Sequence, residues 1–205
     1  MIGKWISFEG GEGSGKTTLI EGLVEKLEER NLPYLVTREP GGVPVAEKIR
    51  EILLEKTDSP MDPMTEAILF AASRRQHLVE KVLPALEEGK IVLMDRFVDS
   101  SVVYQGYARG LGMERIKALN EFATEGRLPL ITFYLDIDPE KGLERIRKNK
   151  RTMNRLDYEN LLFHKKIREG YQLLCQKEQR LQCISADKGP RELLEEVWQI
   201  IQSIL

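Results

Sequence analysis

The chain is expected to fold as an α/β domain, a doubly wound, five-stranded parallel sheet with helices on both faces. Three observations predict it. Short apolar runs alternate with longer amphipathic stretches, and strands alternating with helices imply a parallel sheet covered on both sides. Helical patterns fill every gap between those runs, so each connection is a right-handed crossover. The length, 205 residues, suits one domain with room for a small insert, at a prior of roughly 150 residues per domain.

The elements follow in order. Lys4 to Glu9 reads as the first strand. Thr17 to Arg30 then places Leu19, Ile20, Leu23, Val24 and Leu27 on one stripe of a helix. Pro33 to Arg38 is the second strand; the second helix carries Arg50, and a long third helix carries Phe70 and Arg74. Ile91 to Met94, after Gly89-Lys90, is the third strand, and the residues from Ser100 open the next helix. Leu130 to Ile137 is the fourth strand and Leu181 to Ser185 a short fifth. Arg191 to Leu205 closes the chain as a helix with Leu193, Leu194, Val197, Ile200, Ile201 and Ile204 on one face. No repeat, low-complexity tract or linker interrupts this pattern, so residues 1–205 read as one domain with a small mobile lid at about 147–156.

Composition removes several classes. Hydrophobic residues are 41% and charged residues 31%, which argues against a disordered chain. A net charge of −2 argues against a surface that grips nucleic acid as a whole. No apolar run approaches the roughly 20 residues needed to cross a bilayer, and Met1 to Ile6 lacks the layout of a signal peptide. Cys175 and Cys183 are too few for a disulfide scaffold or a zinc site. His77 and His164 are far apart and read as ordinary helix residues. The expectation is a cytoplasmic protein with no membrane or nucleic-acid partner.

One stretch carries chemistry outright. Gly10-Gly11-Glu12-Gly13-Ser14-Gly15-Lys16-Thr17 fits G-x-x-x-x-G-K-[ST], and it runs from a strand into a helix, as a phosphate loop must. Glycines let the backbone curl so that successive N–H groups face an anion. The helix N-terminus, which includes Thr18, adds positive partial charge. Lys16 supplies a full charge for the β- and γ-phosphates of a nucleotide, and the Thr17 hydroxyl is placed to ligate Mg²⁺. Asp95, ending the third strand, is the natural second partner of that Mg²⁺ shell. Arg96 follows it; an unpaired buried arginine is costly, so it should face an anion in the crevice. Ligands of doubly wound sheets sit beyond the carboxyl ends of the strands, where these residues share one crevice.

A GTP switch would need Asn-Lys-x-Asp, but Asn149-Lys150-Arg151-Thr152 ends in Thr. Asp95-Arg96-Phe97-Val98 likewise lacks the glycine of an Asp-x-x-Gly switch. The length suits a small phosphotransferase. At this point the sequence resembles the thymidylate kinase family, nearly end to end. The resemblance rests on Thr37-Arg38-Glu39-Pro40-Gly41-Gly42, on Phe70-Ala71-Ala72-Ser73-Arg74-Arg75, and on Asp95-Arg96-Phe97 with Ser100-Ser101-Val102-Val103-Tyr104-Gln105-Gly106. It implies a phosphate-loop nucleoside monophosphate kinase fold, transfer from Mg·ATP to dTMP, and a homodimer. It implies that Phe70 stacks on thymine, Arg74 reads O4, and Gln105 with Ser101 nearby holds N3. Glu12 would accept the sugar 3′-hydroxyl, Tyr104 would crowd the 2′ position, and Glu39, beside dTMP, would precede a cis Glu39-Pro40 bond. It looks like the bacterial form, with Glu12 in the loop and catalytic arginines in the lid.

The residue types suit these tasks on their own terms. A second phosphate-bearing substrate needs its own cations, and Arg38, Arg50 and Arg96 are candidates on different elements. A planar base needs an aromatic face and fixed donors and acceptors at its edge. Read alone, Phe70 suits the core better than a base platform, Arg50 suits the surface equally well, Ser100 suits a helix cap, and Tyr104 suits packing. From Lys141 to Arg155 seven Lys/Arg stand against Glu144, a local charge of +6. Such blocks are usually solvated faces or nucleic-acid patches; between two helices this one suits a flap over bound triphosphate. Arg147, Arg151 and Arg155 are the favoured arginines for the transferring phosphoryl group. Another nucleoside monophosphate kinase, a non-catalytic nucleotide-gated module and a nucleic-acid binder are the rival readings.

Overall fold

The computed structural model describes residues 3–55, 60–148, 156 and 159–205. Five parallel strands, β1 (Lys4–Gly10), β2 (Tyr34–Arg38), β3 (Ile91–Asp95), β4 (Ile131–Asp136) and β5 (Leu181–Ser185), form one sheet in the order β2-β3-β1-β4-β5. The order reverses at β1, so the crevice opens beyond the tips of β1 and β3, the topological switch point. Register fixes what meets there. Phe8 pairs with Asp95 and Arg38 also pairs with Asp95, so the phosphate loop after Gly10 and the motifs after β2 and β3 emerge side by side. Two backbone bonds pin the tips, Arg96 N–H to Phe8 O (2.9 Å) and Glu39 N–H to Asp95 O (3.0 Å).

The alternation of strand side chains builds cores on both faces. Ile6, Phe8, Leu93, Phe133 and Leu135 point to one side and pack against α1 (Lys16–Glu28) and α9 (Pro190–Ile204) through Leu19, Leu23, Leu27, Val197 and Ile201. Trp5, Val92 and Met94 point to the other and meet Leu78, Val82 and Phe97. On that same side Tyr134 packs with Tyr171, Ile167 and Leu174 of α8 (Leu161–Lys177). Each fully buried Leu, Ile or Phe of this kind contributes roughly 1.5–3 kcal/mol.

The expected doubly wound sheet is therefore present, with strand limits within a residue or so. The first helix ends earlier than expected, at Glu28 rather than Arg30. Asn31 turns left-handed (φ 54°) and Leu32 N–H reaches back to Leu27 O (3.0 Å), a helix-closing turn. The long third helix divides. Asp62 caps α3 (Pro63–His77) by accepting from Met64 and Thr65 N–H, a π-helical turn covers Leu78–Val82, and α4 is Leu83–Glu87. Pro84 explains the division: its ring cannot follow a regular α-turn, and Leu83 N–H bonds to Leu78 O instead, widening the turn that precedes it.

A second π-helical stretch, Val102–Ala108, continues the short α5 (Val98–Ser101). Ser101, Tyr104 and Gln105 share the side that faces the crevice. The remaining helices are α2 (Pro44–Leu54), α6 (Met113–Thr124) and α7 (Pro139–Lys148). Of the expected lid, Arg147, Lys148 and Leu156 fall among the described residues; Arg151 and Arg155 lie outside them. No helix among the described residues is long and apolar enough to cross a membrane.

Candidate active site

A single cleft of about 850 Å³ runs over the tips of β1, β2 and β3. At one end lies the phosphate loop, with Glu12 through Thr18 along its wall. The loop turns where glycine is needed: Gly13 has φ 69°, and a Cβ on it would come 2.1 Å from Gly142 O. That close approach of two glycines seats α7 directly against the loop. Gly10 and Gly11 stand behind the wall, and their carbonyls hold Lys16 Nζ at 3.2 and 3.3 Å. Ser14 Oγ is a third partner at 3.3 Å. Burial lowers the Lys16 pKa below the ordinary lysine value, and the nearby Arg96 charge lowers it further. An ammonium kept dry beside an opening is a group poised for an anion.

Thr17 and Asp95 line the same end. Asp95 Oδ1 is buried with no hydrogen-bond partner among the described residues. An orphaned carboxylate oxygen is costly unless something else satisfies it. With a threonine hydroxyl in the same cleft it makes a hard-oxygen donor set that fits Mg²⁺.

Arg96 stands at the middle. Its φ is 70°, a left-handed conformation that a non-glycine residue adopts at a cost of about 1–3 kcal/mol. Its Nη2 donates to Glu12 Oε1 (2.7 Å) and its Nη1 to Ser100 Oγ (3.2 Å), and it lies 5.2 Å over the Tyr104 ring. Burial opposes its charge, but Tyr104 and Glu12 beside it outweigh that and hold the guanidinium well above the ordinary arginine value. Glu9 underlies the whole junction. Its Oε1 accepts from Phe97 N–H (2.8 Å) and Ser100 N–H (3.3 Å), and its Oε2 from Ser100 Oγ (2.6 Å) and Tyr171 Oη (2.7 Å). Burial and the neighbouring Asp99 still raise the Glu9 pKa above the usual carboxylate value. Four donors hold the group, and through Phe97 N–H it ties the turn after β3 to β1.

At the far end lie Arg38, Arg50, Phe70, Arg74, Ser101 and Gln105. Arg38 and Arg50 both donate to Pro40 O (2.7 and 2.9 Å), and Arg38 pairs with Glu47 (3.0 Å). The Glu39-Pro40 peptide is cis. Arg74 is 2% exposed, and four of its five N–H donors have partners. Nε donates to Glu39 Oε2 (2.8 Å), Nη1 to Ser101 Oγ (3.0 Å) and to Asn120 Oδ1, and Nη2 to Phe97 O (3.1 Å). One Nη2 hydrogen has no partner among the described residues. Glu39 is itself held by His77 Nδ1 (3.2 Å), and His77 Nε2 by Thr37 Oγ1 (2.7 Å). His77, read from sequence as an ordinary helix residue, is thus a buried link in the chain that aims Arg74.

The cleft gathers most of the expected site residues. Among the described residues Gly10, Gly11 and Arg147 do not line it, and Arg147 is exposed at the end of α7. Two positions earlier, roughly 200° around a helix, Arg145 does line it, donating to Gly13 O (3.5 Å) and Ala186 O (3.3 Å). Lys141 and Lys148 of the same basic stretch pair with Asp187 (2.5 Å) and Glu144 (2.7 Å). Arg145, Glu9, Tyr171 and Asn120 were missed. Only Glu9 carried a sequence signal, an acid at the tip of an apolar strand just before the loop.

Residues 8–197 match the family model described as thymidylate kinase. A thymidylate kinase of Bacillus pumilus (strain SAFR-032) is 51% identical over 207 residues, covering 100% of this chain and 98% of that protein. One of Clostridium novyi (strain NT) is 53% identical over 197 residues, 95% and 96% of the two chains. The crystal structure of thymidylate kinase from Ehrlichia chaffeensis superposes with a TM-score of 0.77 at 31% identity, over 98% of this chain and 100% of that one.

Proposed function

The chain belongs to the thymidylate kinase family and phosphorylates dTMP from ATP, giving dTDP and ADP in nucleotide biosynthesis; on that premise we propose which of its residues carry the transfer. The observation that supports the assignment best is the continuity of the cleft. Lys16 at the phosphate loop and the Phe70–Arg74–Gln105 group line one cavity, with Arg96 between them.

At the donor end, the loop N–H groups of Gly13, Ser14 and Gly15 cradle the ATP phosphates, Thr18 extends that cradle, and Lys16 takes the β- and γ-phosphates. Asp95 and Thr17 would hold Mg²⁺, which when bound offsets charge on those phosphates. At the acceptor end, Phe70 stacks on thymine, the spare Nη2 hydrogen of Arg74 meets O4, and Gln105 with Ser101 meets N3. Glu39 keeps Arg74 aimed. Arg38 and Arg50 face the 5′-phosphate, Glu12 accepts the sugar 3′-hydroxyl, and Tyr104 fills the space a 2′-hydroxyl would need. Arg96 spans the two phosphates, and Arg147, Arg151 and Arg155 are the further cations assigned to the transferring phosphoryl group.

No strong general base is required. The acceptor phosphate has a second pKa of about 6 and is mostly dianionic at neutral pH. The protein's task is to hold two mutually repelling polyanions end to end, and converging cations in a dry cleft do this. The chemistry is tested by steady-state turnover with ATP against dTMP, dUMP, dCMP and dGMP, with and without Mg²⁺. Preference for dTMP and dependence on Mg²⁺ are expected; equal rates on all four monophosphates would remove the thymine reading.

The same reading makes the protein a cytoplasmic homodimer. Val45 and Ile52 of α2, Ile68 of α3 and Phe122 of α6 are apolar yet 51–87% exposed, on helices that pack side by side. Such a face favours a second copy. Light scattering should give about twice the 23.6 kDa chain mass; the mass of a single chain at micromolar concentration would exclude the dimer.

A further inference from the structure

We propose that Glu66, which does not line the cleft, sets the preference for thymine over cytosine by fixing which end of the Gln105 amide faces the base. This rests on the reading of Gln105 as the N3 partner given above.

Gln105 Nε2 donates to Glu66 Oε1 at 2.8 Å, and both side chains are 1% exposed. A carboxylate offers acceptors only, so it binds the NH₂ end of the amide and no other. Arg109 Nε stands 3.5 Å from the same Glu66 oxygen and is itself anchored to Glu159 (2.7 Å) and over the Phe163 ring (4.7 Å). With its NH₂ held by Glu66, the carbonyl is the end of the Gln105 amide left for the cleft that the residue lines. An acceptor there suits the N3–H of thymine or uracil and opposes the bare N3 of cytosine. Glu66, Phe70 and Arg74 also follow one another at four-residue steps along the buried stripe of α3. One rigid helix face therefore carries the platform, the O4 donor and the group that orients the N3 acceptor.

Glu66 is thus a positioning residue, and its signature is a ratio of substrates. Replacing it by glutamine keeps the volume but lets the amide at 66 present either end, so Gln105 can turn over and donate to cytosine. In E66Q the kcat/KM ratio of dTMP over dCMP should fall by at least about 10-fold. Activity with dUMP should fall alongside dTMP, and KM for ATP should not move. A purely structural role would lower activity on all substrates alike and leave the ratio unchanged. If the unaltered enzyme shows no preference for dTMP over dCMP, the base reading itself fails. If it does, and folded E66Q keeps that preference, the role of Glu66 is refuted while the base reading stands. Should E66Q not fold, the exchange E66Q/Q105E carries the test, since it conserves volume and charge and again shows N3 only acceptors. It should retain the preference for dTMP over dCMP; loss of that preference in the exchange would overturn the proposal.

Discussion

Arg96→Ala is expected to lower kcat by at least about 100-fold while the protein remains folded. The guanidinium is the cation between the two halves of the cleft, and it is already fastened in the free protein by Glu12 and Ser100. Its loss leaves two phosphates facing each other with less opposing charge, an effect concentrated in the transition state, so kcat should fall more than KM rises. The backbone provides an internal control. At φ 70° glycine is at ease where arginine is strained. Arg96→Gly should therefore be no less stable than Arg96→Ala and equally inactive, which separates charge from conformation. Near-normal turnover of either variant in a coupled ADP-release assay would take Arg96 out of the mechanism.

Lys16→Met should cost on the order of 10³-fold in turnover, as expected when a cation aimed at developing phosphoryl charge is deleted. Its effect on stability should run the other way. Lys16 is buried among two carbonyls and a hydroxyl, with Arg96 nearby, and its pKa is lowered by that burial. A lysine whose folded-state pKa lies below its unfolded value weakens the fold while charged in both states. The penalty is complete below the folded-state pKa and is relieved as pH rises from there toward 10.5. The methionine variant should thus match or exceed the parent in thermal stability at pH 7, with a margin that narrows in alkaline buffer. A lower melting temperature at pH 7 would show that Lys16 helps to hold the apo loop together. The opposite signs of the two effects would mark a residue kept for function at a cost to stability.

The sheet was legible because its signals are local and periodic. Ile6 and Phe8 against Trp5, or Leu93 against Val92 and Met94, divide by alternation between two cores. The phosphate loop was legible because glycine spacing, strand and helix coincide. What the sequence hid was pairing. Nothing in the string says that Asn120 and Ser101 share one Arg74 nitrogen, or that His77 backs Glu39. Those contacts span 27 to 46 positions, and each residue alone has an ordinary reason to be on a helix. The π-turn before Pro84 also escaped, since the apolar stripe continues through it. Within the basic stretch, composition showed the charge but not its phase: two residues of helix separate Arg145 in the cleft from Arg147 in solvent.

One cleft should bring two negatively charged nucleotides into line, phosphate to phosphate. This is tested most directly by a crystal structure of the protein with ADP, Mg²⁺ and dTMP together. ADP phosphates are expected in the 10–17 loop with Lys16 Nζ upon them, thymine flat on Phe70, and Arg96 between the two phosphate groups. A structure with Lys16 still turned to the carbonyls of Gly10 and Gly11, or with dTMP bound away from Phe70, would contradict it.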